Sequence, residues 1–342
     1  MRPRGSNPLA FGVLGVLALA FATVVVIAGL AGEEKAEVPA GPGTAPVATG
    51  NAPPRQTGDT EITTPDFTPP EKLDLGSLGG AEIAPVAAAR NMAVDLRYMR
   101  RSDTTARLKR NPLYGTGLMR PTTCRAPRPS TQPRDMLSYL NAVTGCLERA
   151  WSAKFSQAGA VFLPARKVYW SRPGRGPCGT YPDDSASAYY CPSNRGMYIG
   201  LSHVIEQSGD RDPARNHVPY MAVLAHEYAH HVQNMAGIGG AWWWEVSNKS
   251  RAAQDSHSRR HELQAQCLSG AFIRTVREPM GVTAARWQEV LQTEFGRGDD
   301  QSGNPRRDHG SGEHYAAWLH QGWKYARIAY CNTWAVGPSE VS

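Results

Sequence analysis

The sequence predicts an α+β domain, mostly helical with a small sheet, carried behind an apolar N-terminal segment and a linker. Three observations predict it: long stretches with helical apolar periodicity, a few short β-rich runs bounded by turn residues, and a change of composition near residue 80.

Residues 1–8 form a short basic N-terminus with Arg2 and Arg4. Residues 9–32, "LAFGVLGVLALAFATVVVIAGLAG", are an almost unbroken apolar run. About 20 such residues suffice to cross a hydrocarbon core as a helix. The arginines before it and Glu33-Glu34 after it put the N-terminus in the cytoplasm and the rest of the chain outside. Gly29 and Ala31 also suit a cleavage site, so a signal peptide is the alternative; the length of the run favours an uncleaved anchor. Both readings export the domain, to the outer face of the membrane or as a secreted protein.

Residues 33–80 are rich in Pro, Gly, Ala and Thr, with few large apolar side chains. Such a segment cannot bury enough surface to fold alone and reads as a disordered tether. Residues 81–342 regain aliphatic and aromatic content and make one exported globular domain.

All six cysteines, Cys124, Cys146, Cys178, Cys191, Cys267 and Cys331, fall in that domain. An even count outside the cytoplasm argues for three disulfides, and the absence of any CxxC spacing argues against a zinc knuckle. The expected pairing is 124–146, 178–191 and 267–331, the middle pair clipping a short loop. The formal charge of +7 is spread through the domain with no dense basic run, which points to a solvated basic surface and no nucleic-acid partner.

Within the domain, Pro133 opens a helix in which Met136, Leu137, Leu140, Val143, Leu147 and Trp151 keep helical spacing until Gly159. The runs "AVFLP", "KVYWS", "AYYCP" and "GMYIG" read as short strands, the last two as a hairpin turned by Pro192, Asn194 and Gly196. Pro219 opens a second helix ending near Gly237, Gly239 and Gly240. A third spans residues 250–276 and stops before Pro279. Shorter helices are expected over residues 284–295 and 311–330.

The second helix carries "VLAHEYAHHVQNMAG". His226 and His230, four residues apart, project from one face and can share a metal ion. Glu227 completes an HExxH pattern, in which it serves as general base on a zinc-activated water. His231 points about 100° away and reads as a neighbour, not a ligand. A catalytic zinc needs a third protein ligand and an open position. A downstream histidine in the x-x-Gly-x-x-His spacing is ruled out, because those positions are Gln233 and Ala236. The third helix supplies "RRHELQAQCLSGAF", in which Glu262 is the candidate ligand and His261 beside it the alternative.

In these blocks the chain resembles a bacterial family of neutral zinc metallopeptidases, exported or membrane-anchored proteins with a zincin-like fold. The resemblance rests on "VLAHEYAHHVQN" followed by "HELQAQCLSGAF", with weaker support from "NPLYGTG", "YYCPSNRGMYIG" and "DHGSGEHYAAWLHQGW". It implies a gluzincin-type site with one zinc per chain held by His226, His230 and Glu262, and Glu227 as catalytic base on a protein or peptide substrate.

The family's block usually reads ELQAD, and Gln266 stands at its last position. A carboxylate there would accept a hydrogen bond from a zinc-bound histidine; glutamine accepts through its carbonyl but brings no charge. That departure supports a second reading, a zinc-binding pseudopeptidase that acts as a protein- or envelope-binding module. His309, in "DHGSGEH", matches another family block and is the candidate for stabilising the oxyanion, with His314 and Tyr315 behind it. Ser311 in the same stretch suits a helix cap. The run Trp242-Trp243-Trp244 fits core packing or a membrane-facing patch better than a specificity pocket. Oligomeric state leaves no mark on the sequence.

Overall fold

A computed structural model of the chain describes residues 101–342, apart from 183–187, 209–211, 248 and 302–305. The apolar segment 9–32, the tether and the start of the domain at residue 81 lie outside the described residues. Among the described residues no helix is long and apolar enough to cross a membrane.

The described part is an α+β assembly of helices around a small sheet. Helix α1 spans Arg101–Lys109 and a 3-10 turn follows at Pro112–Thr116. The apolar periodicity from Pro133 becomes α2, Pro133–Gln157, with Met136, Tyr139, Leu140, Val143, Leu147, Trp151 and Phe155 in the core. Leu137, which fits the same period on paper, lies at the edge of that face and is exposed.

Strands follow: β1 Arg166–Trp170, β2 Gly174–Gly176, β3 Gly179–Tyr181, β4 Ala188–Cys191 and β5 Gly196–Gly200. β5 is central in a three-stranded sheet, parallel to β1 and antiparallel to β4. The β4–β5 hairpin forms as expected, though the residue with positive φ in its turn is Arg195. The run "AVFLP" is not a strand: it links α2 to β1, and its Leu163 carbonyl is held by the His231 ring at 2.8 Å. The separate β2–β3 hairpin was invisible to periodicity, being three residues a side and half glycine.

After α3, His203–Ser208, the central helix α4 spans His217–Met235. Seventeen of its nineteen residues are buried, so α4 is the axis of the domain. It ends where Gly237 takes a left-handed conformation, but Gly239 and Gly240 do not extend the stop. They lie inside a further helix, α5, Ile238–Val246. Helix α6, Arg251–Thr275, and α7, Ala284–Phe295, match their expected spans closely. The last helix, α8, is shorter than expected: it covers Gly312–Tyr325, and Ala326 breaks it with φ 46° before a 3-10 turn at Ile328–Cys331.

Three disulfides join Cys124–Cys146, Cys178–Cys191 and Cys267–Cys331, the expected pairs. The first ties the segment before α2 to α2 itself. The second clips the tip of the β4–β5 hairpin to the turn between β2 and β3. The third ties α6 to the turn after α8. Helices α6 and α8 approach so closely that a Cβ on Gly270 would lie 2.0 Å from the Leu319 carbonyl oxygen. Helix α4 packs on the other side of α6, which is how three elements distant in sequence meet at one point.

Candidate metal centre

The four-residue spacing on α4 puts the His226 and His230 rings 4.7 Å apart, edge to face, with their Nε2 atoms 3.0 Å from each other. α6 brings Glu262 over the same spot, its Oε2 3.3 Å from His226 Nε2 and 3.2 Å from His230 Nε2. All three side chains are buried. Burial opposes ionisation of Glu262, but the facing His230 and His226 outweigh it and hold the carboxyl well below the usual range.

Two donors bound tetrahedrally at about 2.0–2.1 Å from one ion sit roughly 3.3 Å apart. The three separations here match that figure. They also bring three lone pairs face to face in a dry environment, an arrangement that repels itself unless a cation or proton lies among them. The donor set, two imidazoles and a carboxylate, suits zinc.

Each imidazole is backed from behind. His226 Nδ1 lies 3.2 Å from Gln266 Oε1, and His230 Nδ1 lies 2.8 Å from Gln233 Oε1. A glutamine carbonyl can only accept, so both rings carry their proton on Nδ1 and leave Nε2 free as a donor to metal. Gln233 in turn donates to the His261 carbonyl at 2.8 Å and to Gln264 Oε1 at 3.0 Å. Gln264 continues to the Tyr114 hydroxyl and the Cys331 carbonyl. Gln233 and Gln264 were missed as site residues. The two-fold appearance of Gln beside the motifs HEYAH and ELQA was the available signal.

Glu227 is completely buried on the same helix. Burial pushes its carboxyl up, and nearby Glu262 adds to that against the pull of His226 and His230. His261 does not join the cluster. Its ring is stacked between His230, at 4.9 Å, and Trp242, at 4.5 Å, and burial lowers its pKa to about 4. His231 faces away, toward the Tyr190 hydroxyl and the Leu163 carbonyl. Of the tryptophan run, Trp242 packs on His261 while Trp244 is exposed.

His309 sits in the loop before α8, and Tyr315, on that helix, lies between it and the histidine pair. The Tyr315 ring is 6.1 Å from His226 and 6.3 Å from His309. His309 Nδ1 is 3.0 Å from Asp308 Oδ1 and 3.6 Å from Asp299 Oδ1. Asp299 Oδ2 also accepts the backbone N–H groups of His309 and Gly310, at 2.9 and 2.7 Å, which fixes the loop. Burial alone would lower the His309 pKa, but the two carboxylates overcome it and raise it well above the usual imidazole value. Its Nε2 is buried without a hydrogen-bond partner among the described residues. Ser311 caps α8 by accepting from the His314 N–H, and the His314 ring is taken up by Ser311 and the Ser342 carbonyl. His314 therefore stands away from the centre.

A family model described as "Putative neutral zinc metallopeptidase" matches residues 104–334. The curated relatives include an uncharacterized protein, YpfJ, of Escherichia coli strain K12, 26% identical over 230 residues, which cover 64% of this chain and 79% of the relative. The same protein from E. coli O6:H1 strain CFT073 matches to the same extent. No solved structure matches the chain.

Proposed function

Because the chain belongs to the neutral zinc metallopeptidase family, whose model matches two thirds of it, we propose that it is a zincin-like peptidase that hydrolyses peptide bonds at the His226–His230–Glu262 centre. The observation that carries this is the convergence of those three donor atoms within 3.3 Å of one another, each imidazole backed at Nδ1 by a glutamine side-chain oxygen.

One zinc per chain would be held by His226 Nε2, His230 Nε2 and Glu262. When bound, it supplies a Lewis acid that polarises a carbonyl and makes water acidic. Glu227 takes a proton from the attacking water and delivers it to the leaving amine, held for that transfer on the same helix as both imidazoles. His309, kept as an imidazolium by Asp299 and Asp308, donates from Nε2 to the carbonyl oxygen as negative charge builds there. Tyr315 lines the space between them.

The domain works outside the cytoplasm, tethered by residues 9–32. The pairing of every cysteine supports an oxidising compartment.

The test is metal content together with Glu227→Gln. The purified protein should hold about one zinc per chain and degrade an unstructured protein in a chelator-sensitive way. Glu227→Gln should keep the zinc and lose roughly 10²- to 10⁴-fold in kcat. No zinc in the wild type overturns the reading. Zinc binding with wild type and Glu227→Gln equally inert would instead make the chain a zinc-binding pseudopeptidase, the role left open by Gln266.

A further inference from the structure

Gln266 has a carboxylate behind it. Its Nε2 donates to Glu294 Oε2 at 2.8 Å, and Glu294, on α7, is ion-paired through Oε1 with Arg297 one turn on. Gln266 and Glu294 are both almost completely buried, at 1% and 2% exposure, so no water competes for these groups. The chain of contacts runs from His226 Nδ1 to Gln266 Oε1, from Gln266 Nε2 to Glu294, and from Glu294 to Arg297.

An amide can present either end to an imidazole. With its oxygen toward His226, Nδ1 must carry the proton and Nε2 is a free donor. With its nitrogen toward His226, Nδ1 must accept, the proton moves to Nε2, and that atom can no longer bind metal. Gln266 alone does not choose between these states. Glu294 chooses, because a carboxylate only accepts and therefore holds the amide nitrogen on its own side. Gln233 faces the same choice, and there the fixed acceptor is the His261 backbone carbonyl.

We propose that Glu294 is a positioning residue of the metal centre: through Gln266 it locks the His226 tautomer, and so does, one residue removed, the orienting that a carboxylate at position 266 would have done directly. The proposal rests on the zinc reading of His226, His230 and Glu262. It has a consequence that a merely structural contact between α6 and α7 does not share. In the native chain Glu294 helps zinc binding. In a Gln266→Asp chain the same carboxylate would face a second one in a buried space and hinder it.

Zinc affinity of the full chain, measured by chelator competition, is therefore compared across wild type, Glu294→Gln, Gln266→Asp and the double variant. Direct loss of such a backing group typically weakens metal binding about 10- to 100-fold, so the indirect loss in Glu294→Gln should weaken it roughly 3- to 10-fold. Added to Gln266→Asp, the same substitution should strengthen binding. Equal affinity of wild type and Glu294→Gln overturns the proposal, as does a fall of similar size in both backgrounds. A wild type without zinc removes the premise instead, and is read from its metal content before any variant is compared. If Glu294→Gln alone fails to fold because Arg297 is left without its partner, Glu294→Gln with Arg297→Met leaves no orphaned charge and carries the same expectations.

Discussion

Replacing Gly270 by alanine isolates the contact that sets the distance between α6 and α8. Helix propensity alone would reward the change by about 1 kcal/mol, since glycine inside a helix is poor. The structure predicts the opposite sign. A Cβ at 270 would lie 2.0 Å from the Leu319 carbonyl oxygen and 3.0 Å from the Trp323 amide nitrogen, both backbone atoms that cannot rotate away. That falls about 1.4 Å short of ordinary contact, so the helices must part by more than an ångström.

Gly322 meets the Cys267 carbonyl in the reciprocal way, and the Cys267–Cys331 disulfide resists separation at the same place. Overpacking of this kind costs about 1–3 kcal/mol or more, and parting the seam also loosens the buried Leu263, Trp318 and Leu319. A clash with fixed backbone falls at the upper end of that range, about 3 kcal/mol, so a net loss of about 2 kcal/mol remains after the propensity gain. In a domain of this size each kcal/mol moves Tm by about 2–4 °C, which gives a fall of roughly 4–8 °C. Thermal denaturation of the oxidised protein at fixed zinc, followed by circular dichroism, measures it. A Tm that holds or rises would mean that the two helices are not held at backbone contact, and that the placement of Tyr315 beside His226 needs another explanation.

Two further substitutions probe the site. Gln233→Leu keeps the side-chain volume but removes the acceptor behind His230 Nδ1, so zinc affinity by chelator competition should fall about 10- to 100-fold; an unchanged affinity would show that His230 needs no backing. His309→Gln should destabilise the fold by an amount that depends on pH. His309 has a raised pKa, so its contribution is complete below its unfolded value of about 6.5 and is lost as pH rises through the folded one. Asp308 has a lowered pKa, with burial opposing and His309 and Arg306 producing the shift; its contribution is complete above about 3.8 and is lost as pH falls through the folded value. The Tm gap between wild type and variant should therefore be widest between about pH 4 and 6.5 and narrow toward alkaline pH, and a flat gap would rule out the charged His309–Asp308 pair.

What the sequence made legible is what local geometry dictates. The 3.6-residue period fixes His226 and His230 on one face whatever surrounds them, and the same period marked α2, α6 and α7 nearly to their ends. Where a local signal was weak or ambiguous, tertiary packing decided. "AVFLP" has strand composition, yet it serves as a linker. Gly239 and Gly240 look like a stop, yet Gly237 alone takes the left-handed turn, and the Gly239 Cα fits beside the Asn234 backbone, where a Cβ would come within 3.4 Å. Residues 311–330 look like one helix until Ala326 adopts positive φ.

The limit of local reading is sharpest at position 266. Read along the chain, Gln266 is a neutral substitute where a carboxylate is expected, and it weakens the case for a working metal site. Glu294 stands 28 residues later in a helix with no motif, and nothing in its neighbourhood on the chain distinguishes it from a solvent-facing acid. Only the packing of α7 against α8 and α4 brings it to 2.8 Å from the Gln266 amide. The need for a fixed acceptor belongs to a place in space, and the chain can meet it from any element that reaches that place. The neutral residue at 266 then acts as a spacer that carries orientation from Glu294 to His226, and the absence of a carboxylate from the motif is no argument against the centre having one.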